Sequence, residues 1–340
     1  MYDLRSDTIT LPTKAMREAM AYAEVGDDVY HEDESINKLE QMAASMVGKE
    51  ESIFVPSGSM GNLIPLYING GRGNEVLCDS NSHIIQHEVG SVASIAGTLA
   101  IGIPTEKGIL DAQTIESHIK RGSYDLATST LIEVENTIGG ITYPLQTLKE
   151  IRELADSYDM SVHMDGARFW NAVVATNEDP KEIAAQADTM TFCISKGLGA
   201  PVGALLCGTS QFIEKARSVR KMLGAGMRQA GILAAGGIYA LTHNIERLED
   251  DHRRAMKIAQ TLKKTTWAQF DIEDVHTNII FFSVKHTNAS KIEQVFEQHD
   301  IRCFAMGDCV RFVTNLNLDD DDIDQICTII ESIDEKEFTS

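Results

Sequence analysis

The sequence predicts an α/β protein: a mostly parallel seven-stranded sheet with helices on both faces, followed by a smaller C-terminal α+β domain. Three observations carry that expectation. Seven short apolar runs alternate with helical patterns between residues 52 and 207. Several of those runs are hydrophobic throughout instead of at every second position, as strands covered on both faces are. From about Asn244 the texture changes to a long charged helix followed by strands and helices that no longer alternate regularly.

The strand candidates, in order, are Ser52–Val55, Glu75–Cys78, Thr98–Ile103, Ser129–Val134, Met160–Met164, Thr189–Ile194 and Gly203–Cys207. They are rich in β-branched residues and bounded by turn residues. Of the helices between and before them, one places Ile36, Leu39, Ala43, Met46 and Val47 on a single stripe, and Gly48 stops it. In the C-terminal part, the helix IERLEDDHRRAMKIAQTLKK leads to a strand over Ile279–Val284 and a helix over Ala289–His299. Strands over Ile301–Phe304 and Val310–Asn315 precede a last helix opening near Asp319. The run Asp319–Asp322 reads as helix capping and a match to the helix dipole, in preference to a metal cluster.

Composition sets limits on function. The 340 residues carry 30 Lys+Arg against 51 Asp+Glu, a formal net charge of −21. A chain so acidic is expected to avoid nucleic acid and anionic membranes, which demand a broad basic surface. A small anion needs only a local positive pocket. The opening MYDLRSDTITLPT has no basic region followed by an apolar stretch, so no secretory signal is expected. The most apolar stretch, Gly231–Leu241, falls far short of the ~20 residues of a membrane span. Six cysteines form no CxxC pair, and Cys78, Cys193 and Cys207 sit in apolar strands as buried thiols. The expected location is the cytoplasm.

The chemistry concentrates in HMDGAR (163–168) and ISKGLGAP (194–201). Asp165 and Lys196 each follow an apolar strand, so a parallel sheet brings both to its carboxyl edge, where open α/β sheets bind ligands. A lysine and a carboxylate there suit pyridoxal phosphate: the lysine forms the Schiff base and the carboxylate keeps the pyridine nitrogen protonated. A structural ion pair is the plainer alternative, but Gly197, Gly199 and Pro201 around the lysine favour close approach of a ligand. The turn Pro56-Ser57-Gly58-Ser59-Met60-Gly61-Asn62 after the first strand opens a helix, and Gly58 and Ser59 there can cradle a phosphate. It matches neither the Walker A loop nor the dinucleotide fingerprint. Between Glu214 and Arg228 the charge inverts to five bases against one acid. Such a cluster is commonly a solvated helix face. The small apolar surroundings of Arg228 instead predict a buried arginine that needs an anion.

Together these residues resemble the L-threonine aldolases, pyridoxal-phosphate enzymes of the aspartate-aminotransferase fold type. The likeness runs through LRSDTIT (4–10), GDDVY (26–30), GKEESIFVPSGSMGN (48–62), SHIIQHEVG (82–90) and ENTIGG (135–140). It continues through HMDGARFWNA (163–172), SKGLGAPVGALLCG (195–208), RKMLGAGMRQAG (220–231) and VRFVTN (310–315). The resemblance implies an N-terminal segment over 1–25 near the active site, a large cofactor domain over 26–243 and a small domain over 244–340. It implies Lys196 as the Schiff-base lysine, Asp165 as partner of the pyridine nitrogen, and His83 stacked on the cofactor ring near the substrate hydroxyl. Arg168 falls near the cofactor phenolic oxygen and the substrate carboxylate, with Ser6 and Arg311 as further carboxylate ligands. Gly58 and Ser59 hold the phosphate, with Lys221 and Arg228 reaching it from an adjacent subunit of a homo-oligomer, a dimer of dimers with sites at subunit interfaces. No metal is called for.

The implied reaction cleaves L-threonine, L-allo-threonine or both to glycine and acetaldehyde by retro-aldol scission of Cα–Cβ. His83, or a water it orients, takes the β-hydroxyl proton. Glu88 could tune such a water, though an ordinary hydrogen-bonded role is the simpler reading. The alternatives are an aldolase preferring aromatic 3-hydroxy amino acids such as phenylserine, or a β-eliminating lyase. Three positions depart from the family pattern: Ile138 where many relatives carry His, Asn315 in VTN, and His87 where an aromatic ring is expected. Ile138 and His87 are expected near the β-hydroxyl pocket.

Overall fold

A computed structural model describes residues 1–338. All seven apolar runs are strands: β1 (Glu51–Val55), β2 (Glu75–Asp79), β3 (Leu99–Ile103), β4 (Leu126–Glu135), β5 (Ser161–Gly166), β6 (Thr189–Cys193) and β7 (Ala204–Gly208). They lie side by side in the order β1-β7-β6-β5-β4-β2-β3. The pairings among β2 to β6 are parallel, whereas β7 runs antiparallel to both β6 and β1. A short strand, Arg121–Ser123, extends the sheet as a hairpin on the start of β4.

Alternation along the strands sends successive side chains to opposite faces, and both faces are apolar. Phe54, Leu77, Ile132 and Leu205 enter a core shared with the helices Glu34–Val47, Leu145–Ser157 and Gly231–His243. Their neighbours Ile53, Val76, Leu131 and Leu206 face the other way, beneath the helices Gly58–Pro65 and Ser210–Met222. Truncating a fully buried ring such as Phe54 or Phe192 to Ala would cost about 3–5 kcal/mol. The helix Glu34–Val47 shows how locally this is encoded. Asp33 caps it through the Ile36 N–H, Ile36, Leu39, Ala43 and Val47 are buried, and Gly48 ends it at φ 68°.

The C-terminal part has its own core. The strands β8 (Ile279–Val284), β9 (Phe304–Met306) and β10 (Cys309–Val313) form an antiparallel sheet in the order β8-β10-β9, with Ala268–Gln269 on the outer edge of β8. Trp267, Phe282, Phe296, Phe312 and Phe338 pack together against it. The N-terminus joins this unit: Tyr2–Asp3 pairs parallel with Ile301–Arg302, and Leu4 is buried in the same core. From there the chain turns at Asp7–Ile9 toward the large sheet. The aspartate run at residue 319 is a capping box, with Asp319 and Asp322 each accepting the other's backbone N–H, while Asp320 pairs with Arg253 and Arg254. No helix among the described residues is long and apolar enough to cross a membrane. All six cysteines are free, and Cys78, Cys193 and Cys207 are buried as expected.

Candidate active site

The carboxyl ends of β5 and β6 open on a cavity of about 280 Å³. Lys196 and Asp165 line it together with Ser57, Gly58, Ser59, Asn62 and His83. The cradle is the N-terminus of the helix Gly58–Pro65, capped by the Ser57 hydroxyl on the Met60 N–H. Glycine is required there by packing. A Cβ at Gly58 would lie 2.9 Å from Cys193 Sγ, and one at Gly61 would lie 2.4 Å from Thr191 Cγ2. The helix therefore sits close enough to β6 for its first N–H groups, which a helix leaves without internal partners, to border the cavity.

Asp165 is buried at the base. Its Oδ1 accepts the Ala167 N–H at 2.8 Å and its Oδ2 accepts from Asn62 Nδ2 at 2.6 Å. The same Asn62 amide donates to Glu88 Oε1 at 3.0 Å, and Glu88 Oε1 also lies 2.9 Å from His83 Nδ1. That hydrogen bond to Glu88 raises the His83 pKa, against burial, with Asp165 and Glu135 adding attraction. Behind His83 stand two acids of β4. Glu135 accepts the His83 backbone N–H at 3.0 Å, and Glu133 is paired with the Ser82 hydroxyl at 2.6 Å. Burial pushes Glu135 up to about 7 and Glu133 well above the carboxylate range.

Two arginines lie near one another and near Asp7, beside this cavity and not among the residues that line it. Arg168 Nε and Nη2 form a fork on the Oδ2 and Oδ1 of Asp7, at 2.9 and 2.7 Å. Asp7 is fully buried and also accepts from Asn278 Nδ2 at 3.3 Å. Arg168 thus spends two of its donor positions on the protein itself, a contact that the sequence pattern did not anticipate. Arg311 sits on β10 between Phe281 of β8 and Phe304 of β9, with its guanidinium 5.0 Å from the Phe304 ring. Its Nη2 donates to the Arg5 carbonyl at 3.0 Å, and its buried Nε has no hydrogen-bond partner. Burial and the nearby Arg168 lower its pKa. Ser6 caps the Asp7–Ile9 turn, its hydroxyl accepting from the Thr8 N–H and hydroxyl, and Thr8 lines the cavity.

A family profile described as beta-eliminating lyase matches residues 3–287. The low specificity L-threonine aldolase of Escherichia coli K12 is 40% identical over 94% of this chain and 95% of its own length. The chain belongs to the L-threonine aldolase family of beta-eliminating lyases. The probable low-specificity L-threonine aldolase 2 of Arabidopsis thaliana is 38% identical over 97% of this chain and 96% of its own. Among solved structures, a Leishmania major threonine aldolase superposes with a TM-score of 0.85 at 18% identity, covering 97% of this chain and 99% of that one. A putative L-allo-threonine aldolase from Listeria monocytogenes superposes with a TM-score of 0.79 at 19% identity, covering 99% of this chain and 96% of that one. At such identities the likeness shows the shared fold.

Against this family pattern, two expected placements change, the burial of Arg228 and the pocket position of Ile138. Arg228 is not buried: its side chain is 49% exposed and pairs with Asp27 at 2.9 Å. The buried arginine of that segment is Arg220, which donates to Asp28 and to the Phe54 carbonyl. The small residues near Arg228 pack the helix Gly231–His243 instead, where a Cβ at Gly237 would meet Leu39 and Ile194. Lys221 folds over Gly226 in a second cavity with Arg217 and Arg220, away from Lys196. Ile138 is core: it packs toward Gly108, where a Cβ would lie 2.6 Å from its Cγ2, and it is not among the residues lining the Lys196 cavity. His87, by contrast, lies beside His83 with ring centroids 5.3 Å apart. Asn315 is fully buried and caps its own turn through the Asn317 N–H.

Sequence reasoning passed over Asp7, Asn62, His163, Glu133 and Glu135. A signal for the last two was present. In LIEVEN two acids two residues apart share one face of a strand otherwise too apolar to be solvated.

Proposed function

We propose that this chain is a pyridoxal-phosphate-dependent aldolase that cleaves L-threonine, L-allo-threonine or both to glycine and acetaldehyde. The observation that carries the reading is one cavity lined by Lys196, Asp165, His83 and the helix N-terminus at Gly58. The donor set fits the cofactor. An amine, a buried carboxylate and a phosphate cradle converge there, and a Cβ at Gly58 would force the cradle away from Cys193. Lys196 would hold the cofactor covalently, Asp165 would take its ring N–H, and Gly58 and Ser59 would hold its phosphate. When bound, pyridoxal phosphate supplies a cationic ring that accepts the electron pair released from the Cα–Cβ bond.

The protein's own groups do the rest. Arg311, with a desolvated Nε and no carboxylate bonded to it among the described residues, binds the substrate carboxylate, aided by Ser6 and the remaining Nη1 of Arg168. That clamp fixes which bond at Cα stands across the ring. His83, on the side of the β-hydroxyl, takes its proton directly or through a water. Lys221 and Arg228 serve the phosphate of a neighbouring subunit in a dimer of dimers, since in their own chain they face away from Lys196. In this reading residues 1–25, 26–243 and 244–340 act as segment, cofactor domain and small domain, and the enzyme serves glycine metabolism in the cytoplasm.

A second reading has an observation of its own. Phe281 and Phe304, both partly exposed, flank Arg311 and favour an aromatic β-substituent such as that of phenylserine. Initial rates on threonine, allo-threonine, phenylserine and serine, with products identified, separate these cases. Acetaldehyde and glycine from threonine are expected, benzaldehyde dominating would favour the second reading, and pyruvate from serine would indicate β-elimination. Lys196→Ala should lose both turnover and the visible absorption of the bound cofactor. A wild-type protein that stays colourless with added cofactor would sink the proposal.

A further inference from the structure

We propose that Asn62 is a positioning residue that presses Glu88 against His83 and so keeps the neutral imidazole as its Nδ1–H tautomer, with Nε2 left as the acceptor. The directions of the hydrogen bonds follow from the two carboxylates. Glu88 and Asp165, as carboxylates, accept only, so the edge of Asn62 that faces both must be its NH₂ group. Its Oδ1 therefore points at His163 Nε2, 3.2 Å away, which must carry a proton. Burial holds His163 neutral, down at about 4, so its Nδ1 is bare and accepts the Thr189 hydroxyl proton at 3.0 Å. The chain of donors runs from Thr189 on β6 through His163 on β5 to Asn62, and ends on the acids of the site.

Glu88 depends on that chain more than an ordinary buried acid does. Both of its hydrogen bonds converge on Oε1, while Oε2 is buried without a partner. Removing the Asn62 amide leaves His83 as its only tether and a carboxylate with one hydrogen bond, which favours the protonated form. A neutral Glu88 no longer holds an imidazolium beside it. The other charged or titratable groups near His83 are Asp165, Glu135, Glu133, His87 and, in the same cavity, Lys196, and none of these is hydrogen-bonded to its ring among the described residues. The inference deepens the reading of His83 as the proton acceptor and rests on that reading for its consequence in turnover. The geometry of the relay stands without it.

The test uses the full-length chain without substrate. Only neutral imidazole reacts with diethyl pyrocarbonate, so the rate of His83 modification against pH, read on its peptide by mass spectrometry, gives the titration midpoint. The side chain is 35% exposed and within reach of the reagent. Glu88→Gln should lower the midpoint by about one pH unit. Asn62→Leu should lower it by at least half as much, with the exposed His31 in the same digest as internal control. Asn62→Ser, smaller and too short to reach Glu88, carries the test if the leucine variant does not fold. A folded Asn62 variant whose His83 midpoint stays at the wild-type value overturns the proposal. Because the readout needs neither cofactor nor turnover, a chain that shows the shift but cleaves no threonine loses only the aldolase reading.

Discussion

Arg168 and Arg311 lie near one another beside the Lys196 cavity, and their circumstances are opposite. Arg168 is matched inside the protein by the fork of Asp7, which is itself held by Asn278. Arg311 lies half-desolvated between two phenylalanines, with a backbone carbonyl as its hydrogen-bond partner among the described residues and its pKa pushed down. The first arginine is a joint between the N-terminal turn, β5 and the small domain. The second carries a charge whose desolvation the attraction of Asp7, already bonded to Arg168, offsets only in part. Stability is thus expected to reside in one and anion binding in the other, a division that substitutions can break.

The largest effect is expected at the matched pair. Arg168→Met leaves Asp7 charged and fully buried, and breaking one side of such a pair costs about 3–5 kcal/mol. Urea unfolding should show that loss, and adding Asp7→Asn should restore a substantial part of it by removing the stranded charge. If Arg168→Met unfolds at the wild-type urea concentration, the joint is not structural. At the unmatched arginine the pattern should invert. Arg311→Ala should leave the unfolding midpoint unchanged or raise it. The same variant should lower kcat/KM for threonine by about 10- to 100-fold, the scale of about 1.5–3 kcal/mol for hydrogen bonds to a charged group. A stability loss as large as that of Arg168→Met would erase the distinction.

A third substitution separates the cavity from the core beside it. Ile138 stands where the family resemblance leads one to expect His, which makes it the obvious place to look for substrate preference. The structure puts it among buried apolar side chains, against Gly108. Ile138→His should therefore cost about 1–3 kcal/mol of stability, for burying a polar ring without a partner. The ratio of threonine to allo-threonine cleavage should stay within twofold, roughly half a kcal/mol or less. A changed ratio in a stable variant would return Ile138 to the site.

These positions also show what the sequence made legible. The seven strands could be read because a strand buried on both faces is apolar at every position, and Lys196 and Asp165 could be read because each closes such a run. The direction of β7 could not, since an antiparallel strand flanked on both sides has the same apolar texture as a parallel one. Asp7 and Asn62 escaped for a related reason. Each is a common polar residue in a short segment, and its inward placement arises only when segments some 25 to 160 residues apart meet. Arg228 misled because small neighbours signal close packing without saying which residue is packed.

The smallest effect concerns pH and the reach of the Asp7 joint. Asn171 Nδ2 lies 3.1 Å from His252 Nε2 and 3.2 Å from Asn278 Oδ1, and Asn278 in turn holds Asp7. His252 accepts in that chain only while neutral, and burial together with Arg247 brings its pKa down to about 4. The unfolded chain protonates the same residue near 6.5. Between those values the unfolded state binds a proton that the folded state refuses, so the contribution of His252 is complete above about pH 6.5 and fades as pH falls toward 4. His163, also down at about 4, adds a slope of the same sign from the other side of the site. His252→Gln keeps an acceptor for Asn171 and abolishes the titration. The raised Glu133 and Glu135 act with the opposite sign in both proteins, so the test is the difference between them. From pH 7 to pH 5 the unfolding free energy of the variant should change less unfavourably than that of the wild type, by on the order of 1 kcal/mol. Parallel curves for wild type and variant would mean that the joint ends at Asn278 and that His252 stands outside it.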